Sequence, residues 1–135
     1  MKKLSTSGKI YSFQSRIPDS GRGVFARQAI KKGELIESCP VIEIPENDLA
    51  SLNESILVTY FFSFGKKKER LMIALGFGSL YNHSYKPNAR YQENPKEGVI
   101  DFIAIQDIKN DEEITTNYNY GNPKNTNPLW FEEAL

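Results

Sequence analysis

Apolar and polar positions alternate along this chain in short stretches, each closed by a turn signal. Lys9-Ile10-Tyr11-Ser12-Phe13 repeats with a period of two, the signature of a strand with one buried face. Val24-Phe25-Ala26 reads as a second strand. Residues 34–44 are rich in Ile and Val and predict a longer strand, in which Pro40 marks a bend or an edge. Residues 99–105, Val-Ile-Asp-Phe-Ile-Ala-Ile, predict another. Lys32-Gly33, Gly65 and Glu97-Gly98 supply the turns between them. Helical signals are fewer. A short helix is expected over residues 46–52, after Pro45, and another over residues 130–135. Residues 56–64 are apolar and aromatic, and periodicity does not decide between helix and strand there. Many short strands broken by turns predict a mostly β domain of α+β type with a few short helices.

Composition narrows the picture. A chain of 135 residues is long enough to bury one core without metals or disulfides. Lys plus Arg and Asp plus Glu both number 17, so the formal charge is zero. That balance argues against a general nucleic-acid or membrane-surface binder, which needs a basic excess. The run Lys66-Lys67-Lys68-Glu69-Arg70 reads as a solvated turn. The single cysteine, Cys39, cannot form an intramolecular disulfide or contribute to a cysteine-rich zinc cluster. The first residues lack the apolar run of a signal peptide, and no stretch has the length of a membrane-spanning helix. An intracellular, reducing compartment is expected.

Three segments carry candidate chemistry. Asn82-His83-Ser84-Tyr85-Lys86-Pro87-Asn88 holds the only histidine, with an amide and a hydroxyl beside it where a proline bends the chain. It follows the glycine-bearing run from Gly76 to Tyr81. Such a cluster suits a polar ligand, although Asn, Ser and Pro are also ordinary turn residues. Gly21-Arg22-Gly23 lies before the Val24 strand, and glycine lets a backbone approach a ligand closely or simply turn. Glu113-Ile114-Thr115-Thr116-Asn117-Tyr118 lies near the C-terminus.

In this order, the Gly-x-Gly, Asn-His-Ser-x-x-Pro-Asn and Glu-Ile-Thr-x-x-Tyr segments resemble the SET domain of protein-lysine methyltransferases, over residues 9–121. The small size, without flanking zinc modules, is more similar to bacterial or viral members than to large chromatin enzymes. The resemblance implies one SET domain across residues 1–135, built of small curved β-sheets with a knot-like C-terminal core. Residues 122–135 would then be a post-SET-like segment closing over the site.

The same resemblance implies S-adenosylmethionine as methyl donor, S-adenosylhomocysteine as product, and no metal. The acceptor it implies is a lysine of a protein or peptide, histones included, with no direct nucleic-acid or membrane partner; a homodimer is one of the oligomeric states left open. Arg22, Gly23, Asn82, His83, Tyr118 and Trp130 are the implied cofactor contacts, with Phe131 an alternative to Trp130. Tyr118 matches the catalytic tyrosine, and a free phenol pKa of about 10 favours orientation of the amine over proton abstraction. Tyr91, Tyr120, Thr116 and Tyr81 are the expected lysine-channel residues. Asn88, Glu113 and Thr115 are expected to be structural.

Three positions depart from the family pattern. Thr116 stands where relatives carry an aromatic residue that limits methyl number. Tyr85 stands where many have Cys. Cys39 falls where several place an active-site tyrosine, so Tyr60 or Phe62 would complete the channel. Two other readings stay open: a SET fold that binds peptide or cofactor without turnover, and transfer to an acceptor other than a protein lysine.

Overall fold

A computed structural model describes residues 3–64, 70–119 and 121–129. Among them, nine short strands form two sheets. The strands are β1 (Ile10–Gln14), β2 (Arg22–Ala26), β3 (Leu35–Glu43), β4 (Phe62–Phe64), β5 (Arg70–Ala74), β6 (Asn82–His83), β7 (Ala89–Asn94), β8 (Val99–Ala104) and β9 (Glu113–Thr116). One sheet has the order β1-β2-β9-β6 and the other β4-β5-β3-β8-β7. The mostly β architecture expected from the alternation is the one formed. The helices are short: a 3-10 turn over Glu46–Asp48 runs into α1 (Leu49–Asn53), as Pro45 suggested.

The ambiguous stretch 56–64 divides. Ile56–Tyr60 makes a 3-10 turn whose first amides are met by Ser55, which accepts from the Leu57 N–H. The chain then becomes extended at Phe61 and enters β4. Pro40 lies inside the central strand of the larger sheet, not at its rim. Residues up to Pro40 pair with β8, and Val41–Glu43 pair with β5. The proline therefore sits where β3 passes from one partner to the other. Its carbonyl accepts from Leu75, just past the last β3–β5 pair, so the missing N–H takes no bond from the ladder.

The core lies between the sheets. Ile10, Val24, Ala26, Ile36, Ile100, Phe102 and Ile114 are buried in it. Phe102 and Ile114 are fully buried, each contributing about 1.5–3 kcal/mol of transfer free energy. Tyr81 stacks on Phe102 with ring centroids 4.1 Å apart. No described helix is long and apolar enough to cross a membrane. The expected helix over 130–135, the turn at Gly65 and the basic run from Lys66 lie wholly or mostly outside the described residues.

Candidate active site

The smaller sheet brings the three motif segments together. β9 lies between β2 and β6: Val24 and Phe25 pair antiparallel with Ile114 and Glu113, while Asn82 and His83 pair parallel with Thr115 and Thr116. Strand alternation then sorts the side chains of β9. Ile114 and Thr116 are buried, and Glu113 and Thr115 take the opposite face.

On that face Glu113 is a hub. Its carboxylate accepts from the Ser15 hydroxyl at 2.8 Å, the Arg16 N–H at 2.9 Å and the Asn82 amide at 3.0 Å. Gly23 lies directly against it. A Cβ there would overlap Glu113 Oε2 and come within 3.1 Å of the Asn82 amide nitrogen, so any side chain would have to push the Glu113 carboxylate from its place. The second Asn82 amide hydrogen reaches the carbonyl of Arg22 at 3.1 Å. Both of these partners are acceptors, which fixes the amide orientation. Asn82 Oδ1 is left as an acceptor with no partner among the described residues.

Tyr118 follows β9 and is held at three points. Its N–H donates to His83 Nδ1 at 3.0 Å. Its hydroxyl donates to the Tyr81 carbonyl at 2.5 Å, and its own carbonyl accepts from the Tyr91 hydroxyl at 3.5 Å. Burial, then the nearby Tyr60 phenol and the Glu113 carboxylate, push its pKa up to about 12. The group is a neutral hydroxyl throughout the physiological range.

Tyr91 packs edge-on against Phe62 with centroids 5.0 Å apart, and Gly121 lies against its ring and carbonyl. Phe62, Met72, Tyr91, Gly121 and Asn122 line a cavity of about 290 Å³. The polar segment after Gly121 is tied down by side-chain donors. Asn117 and Asn119 donate to the carbonyls of Asn125 and Asn127, and Tyr85 donates to Asn127 as well. Leu129 is buried at its end.

Arg22, Gly23, Asn82, His83 and Tyr118 are thus gathered at one place, and Tyr91 joins them through Tyr118. Two expected channel residues turn their side chains inward. The ring of Tyr81 is 2% exposed, stacked in the core with its hydroxyl on Glu37, and only its backbone carbonyl reaches Tyr118. The Thr116 side chain is 1% exposed because the pleat of β9 turns it inward. Cys39 is fully buried, where burial and the adjacent Glu37 push its thiol pKa up, so it lines no channel. Asn88 is structural, donating to Glu112 and to the Glu113 carbonyl while accepting from Thr115. Tyr120, Trp130 and Phe131 lie outside the described residues. Ser15 and Glu37 escaped the sequence reading, since neither belongs to a motif.

The residues fit the amino-acid end of S-adenosylmethionine on their own evidence. A glycine floor, where a side chain would displace Glu113, adjoins an amide carbonyl still open to an ammonium donor. Among the described residues no group of three or more His, Cys, Asp or Glu is arranged to hold a metal ion.

Comparison with known proteins agrees with this geometry. The SET domain family matches residues 21–119. A Schizosaccharomyces pombe histone-lysine N-methyltransferase, H3 lysine-37 specific, is 30% identical over 116 residues, covering 84% of this chain and 71% of that protein. The histone-lysine N-methyltransferase SETD7 of Halocynthia roretzi is 23% identical over 93% of this chain, which spans only 37% of its length. Among solved structures, a Plasmodium falciparum protein assigned as a histone methyltransferase superposes with a TM-score of 0.62 at 32% identity, over 87% of this chain and 96% of that one. The Chaetomium thermophilum polycomb repressive complex 2 shares the fold, with a TM-score of 0.66 at 23% identity over 93% of this chain and 17% of that one. The motif order, the gathered site and these relatives lead to one conclusion: the chain belongs to the SET domain family and is a protein-lysine methyltransferase.

Proposed function

We propose that the chain takes its methyl group from S-adenosylmethionine and places it on the ε-amine of a lysine in a protein, with histones as the favoured substrate class. The convergence of Gly23, Asn82, His83 and Tyr118 from three distant segments is the observation that carries this reading. The histone preference is supported by the names of the relatives.

Bound S-adenosylmethionine supplies an electrophilic methyl group on a cationic sulfur. The chain supplies binding and alignment. Asn82 Oδ1 accepts from the cofactor ammonium, while Glu113 keeps the Asn82 amide turned the right way. Arg22 and Gly23 offer backbone. His83 fixes the backbone of Tyr118 and serves the adenine end with its remaining groups. The Tyr118 hydroxyl orients the incoming amine.

A free lysine has a pKa of about 10.4, so presenting it neutral near pH 8 costs about 3 kcal/mol. The aromatic walls of Phe62 and Tyr91 lower that cost by desolvating the ammonium form. Tyr120 and Trp130 complete the channel and the adenine contact in this reading. Residues 122–135 act as the closing segment of a single domain.

Incubation with labelled S-adenosylmethionine, with histones and separately with a cell lysate, followed by mass-spectrometric mapping, tests the proposal. Methyl groups on lysine side chains are expected. Methylation of free amines only, or cofactor binding with no transfer to any protein, would replace it.

A further inference from the structure

We propose that Glu37 is a positioning residue for Tyr118, acting through the 76–81 turn and the backbone carbonyl of Tyr81. The inference rests on Tyr118 being the catalytic hydroxyl.

Glu37 is a carboxylate turned toward the core. The β3–β8 register shifts between Leu35 and Glu37, and the shift sets Glu37 opposite the fully buried Phe102. A bulge of this kind re-aims a side chain, here onto the face that also holds Cys39. A sheet built for stability alone would place an apolar residue there, because a sheltered carboxylate is costly unless it is hydrogen-bonded.

The carboxylate interacts with the Cys39 thiol of its own strand, and its other two partners belong to the turn that carries Tyr81. Tyr81 donates its hydroxyl to Oε1 at 2.8 Å, and the Phe77 N–H donates to Oε2 at 3.1 Å. Gly76, at φ +63°, lets the backbone close onto the group; a Cβ there would lie 2.6 Å from Oε2. Burial and the neighbouring Glu37 push the Tyr81 phenol well above its ordinary pKa, so it remains a donor. Glu37 therefore grips the turn at its start, through Phe77, and at its end, through Tyr81.

The end of the turn matters because the Tyr81 carbonyl accepts the Tyr118 hydroxyl at 2.5 Å. Two hydrogen bonds thus lead from Glu37 to the Tyr118 oxygen, with the Tyr81 residue between them. The Tyr81 ring is clamped on Phe102, so loss of the hydroxyl need not displace the ring. What loosens is the direction of its carbonyl, and with it the direction of the Tyr118 O–H. Small errors in such alignment are expensive in rate.

The test is a double-mutant cycle in the full chain, read by single-turnover methyl transfer, cofactor affinity and thermal melting. Tyr81→Phe is expected to lower the single-turnover rate about tenfold while leaving cofactor Kd and the KM for peptide nearly unchanged. In a Tyr118→Phe background the same change should have no further effect on rate, because the hydroxyl it directs is gone. Glu37→Gln, which keeps an acceptor for Tyr81, should retain more activity than Glu37→Ala at equal fractions folded. If Tyr118→Phe alone leaves the rate intact, the catalytic assignment fails. If Tyr118→Phe slows transfer but Tyr81→Phe does not, or if their effects simply multiply, the positioning role fails. Loss of rate only in step with melting temperature would equally make Glu37 a stability residue and overturn the proposal.

Discussion

His83 accepts the backbone N–H of Tyr118 through Nδ1 at 3.0 Å, across 35 residues of sequence. The motif histidine is thereby a fastener for the motif tyrosine. The neutral ring must carry its proton on Nε2, because Nδ1 is the acceptor. The parallel pairing of His83 with Thr116 brings the two segments into range, and the imidazole sets where the chain goes after β9.

Asn82→Ala removes the open Oδ1 and both amide donors. Cofactor affinity should fall by about 1–3 kcal/mol, the range for a buried polar contact left unmet, and the melting temperature should fall with it. Calorimetry on folded protein checks this. Asn82→Asp should be worse, because it sets a second carboxylate against Glu113.

Gly23→Ala should damage the site without replacing any motif side chain that makes a hydrogen bond. The added methyl would displace the Glu113 carboxylate from Ser15, Arg16 and Asn82. A loss of about 1–3 kcal/mol in stability is expected, as for other overpacked positions, together with weaker cofactor binding. Denaturant unfolding and calorimetry read the two effects separately.

Tyr118→Phe should lower the catalytic rate about a hundredfold or more with little change in cofactor affinity, as removal of a well-placed polar group does. Single-turnover assays at saturating cofactor isolate that step. A folded variant that transfers at the wild-type rate would make Tyr118 structural.

Alkaline pH should unfasten the fold at the same residue. The Tyr118 pKa is raised to about 12 from 10.0. For a pKa raised on folding, the linked stability is intact below the unfolded value and is lost as pH climbs from about 10 to about 12. The loss amounts to about 3 kcal/mol at most. Stability curves between pH 9 and 12 in wild type and Tyr118→Phe, alongside phenolate absorbance, should show the decline lessened in the variant.

Methyl transfer should survive chelation. The sequence has one cysteine and one histidine, too few for a tetrahedral Cys/His site within one chain. Stoichiometric zinc in active protein, lost with activity under a chelator, would contradict this.

The sequence disclosed what is local. β1, β2 and β8 are apolar enough to be read in advance, although β2 is buried over four consecutive residues and Phe13 of β1 is exposed, and Pro45 announced the turn into α1. β7 escaped because Ala89–Asn94 is almost wholly polar, an outer strand stabilised by pairing with β8 more than by its own pattern. β5 escaped because its apolar residues, Leu71 to Ala74, show no alternation and follow directly on a charged run. The motifs named Asn82, Gly23, Tyr118 and Glu113, but not that the Glu113 carboxylate joins the first two. Glu113 looked structural, and its reach to Ser15 spans 98 residues, which no local pattern encodes. The orientation of Tyr81 and Thr116 was equally hidden: sequence position places them near the site, while the ring stack and the pleat turn their side chains inward.

The two-residue parallel strand β6 has a consequence in time as well as in space. Parallel pairing across a long separation is entropically slow to nucleate, and this one offers only two residue pairs as reward. Asn82 and His83 pair with β9, and β9 pairs with β2 across a long separation in sequence, so the site is complete only when all three segments are assembled. A partly folded chain therefore has no binding site to offer. Cofactor affinity becomes a gauge of complete assembly, and bound cofactor, by mass action, stabilises the seam between β6 and β9.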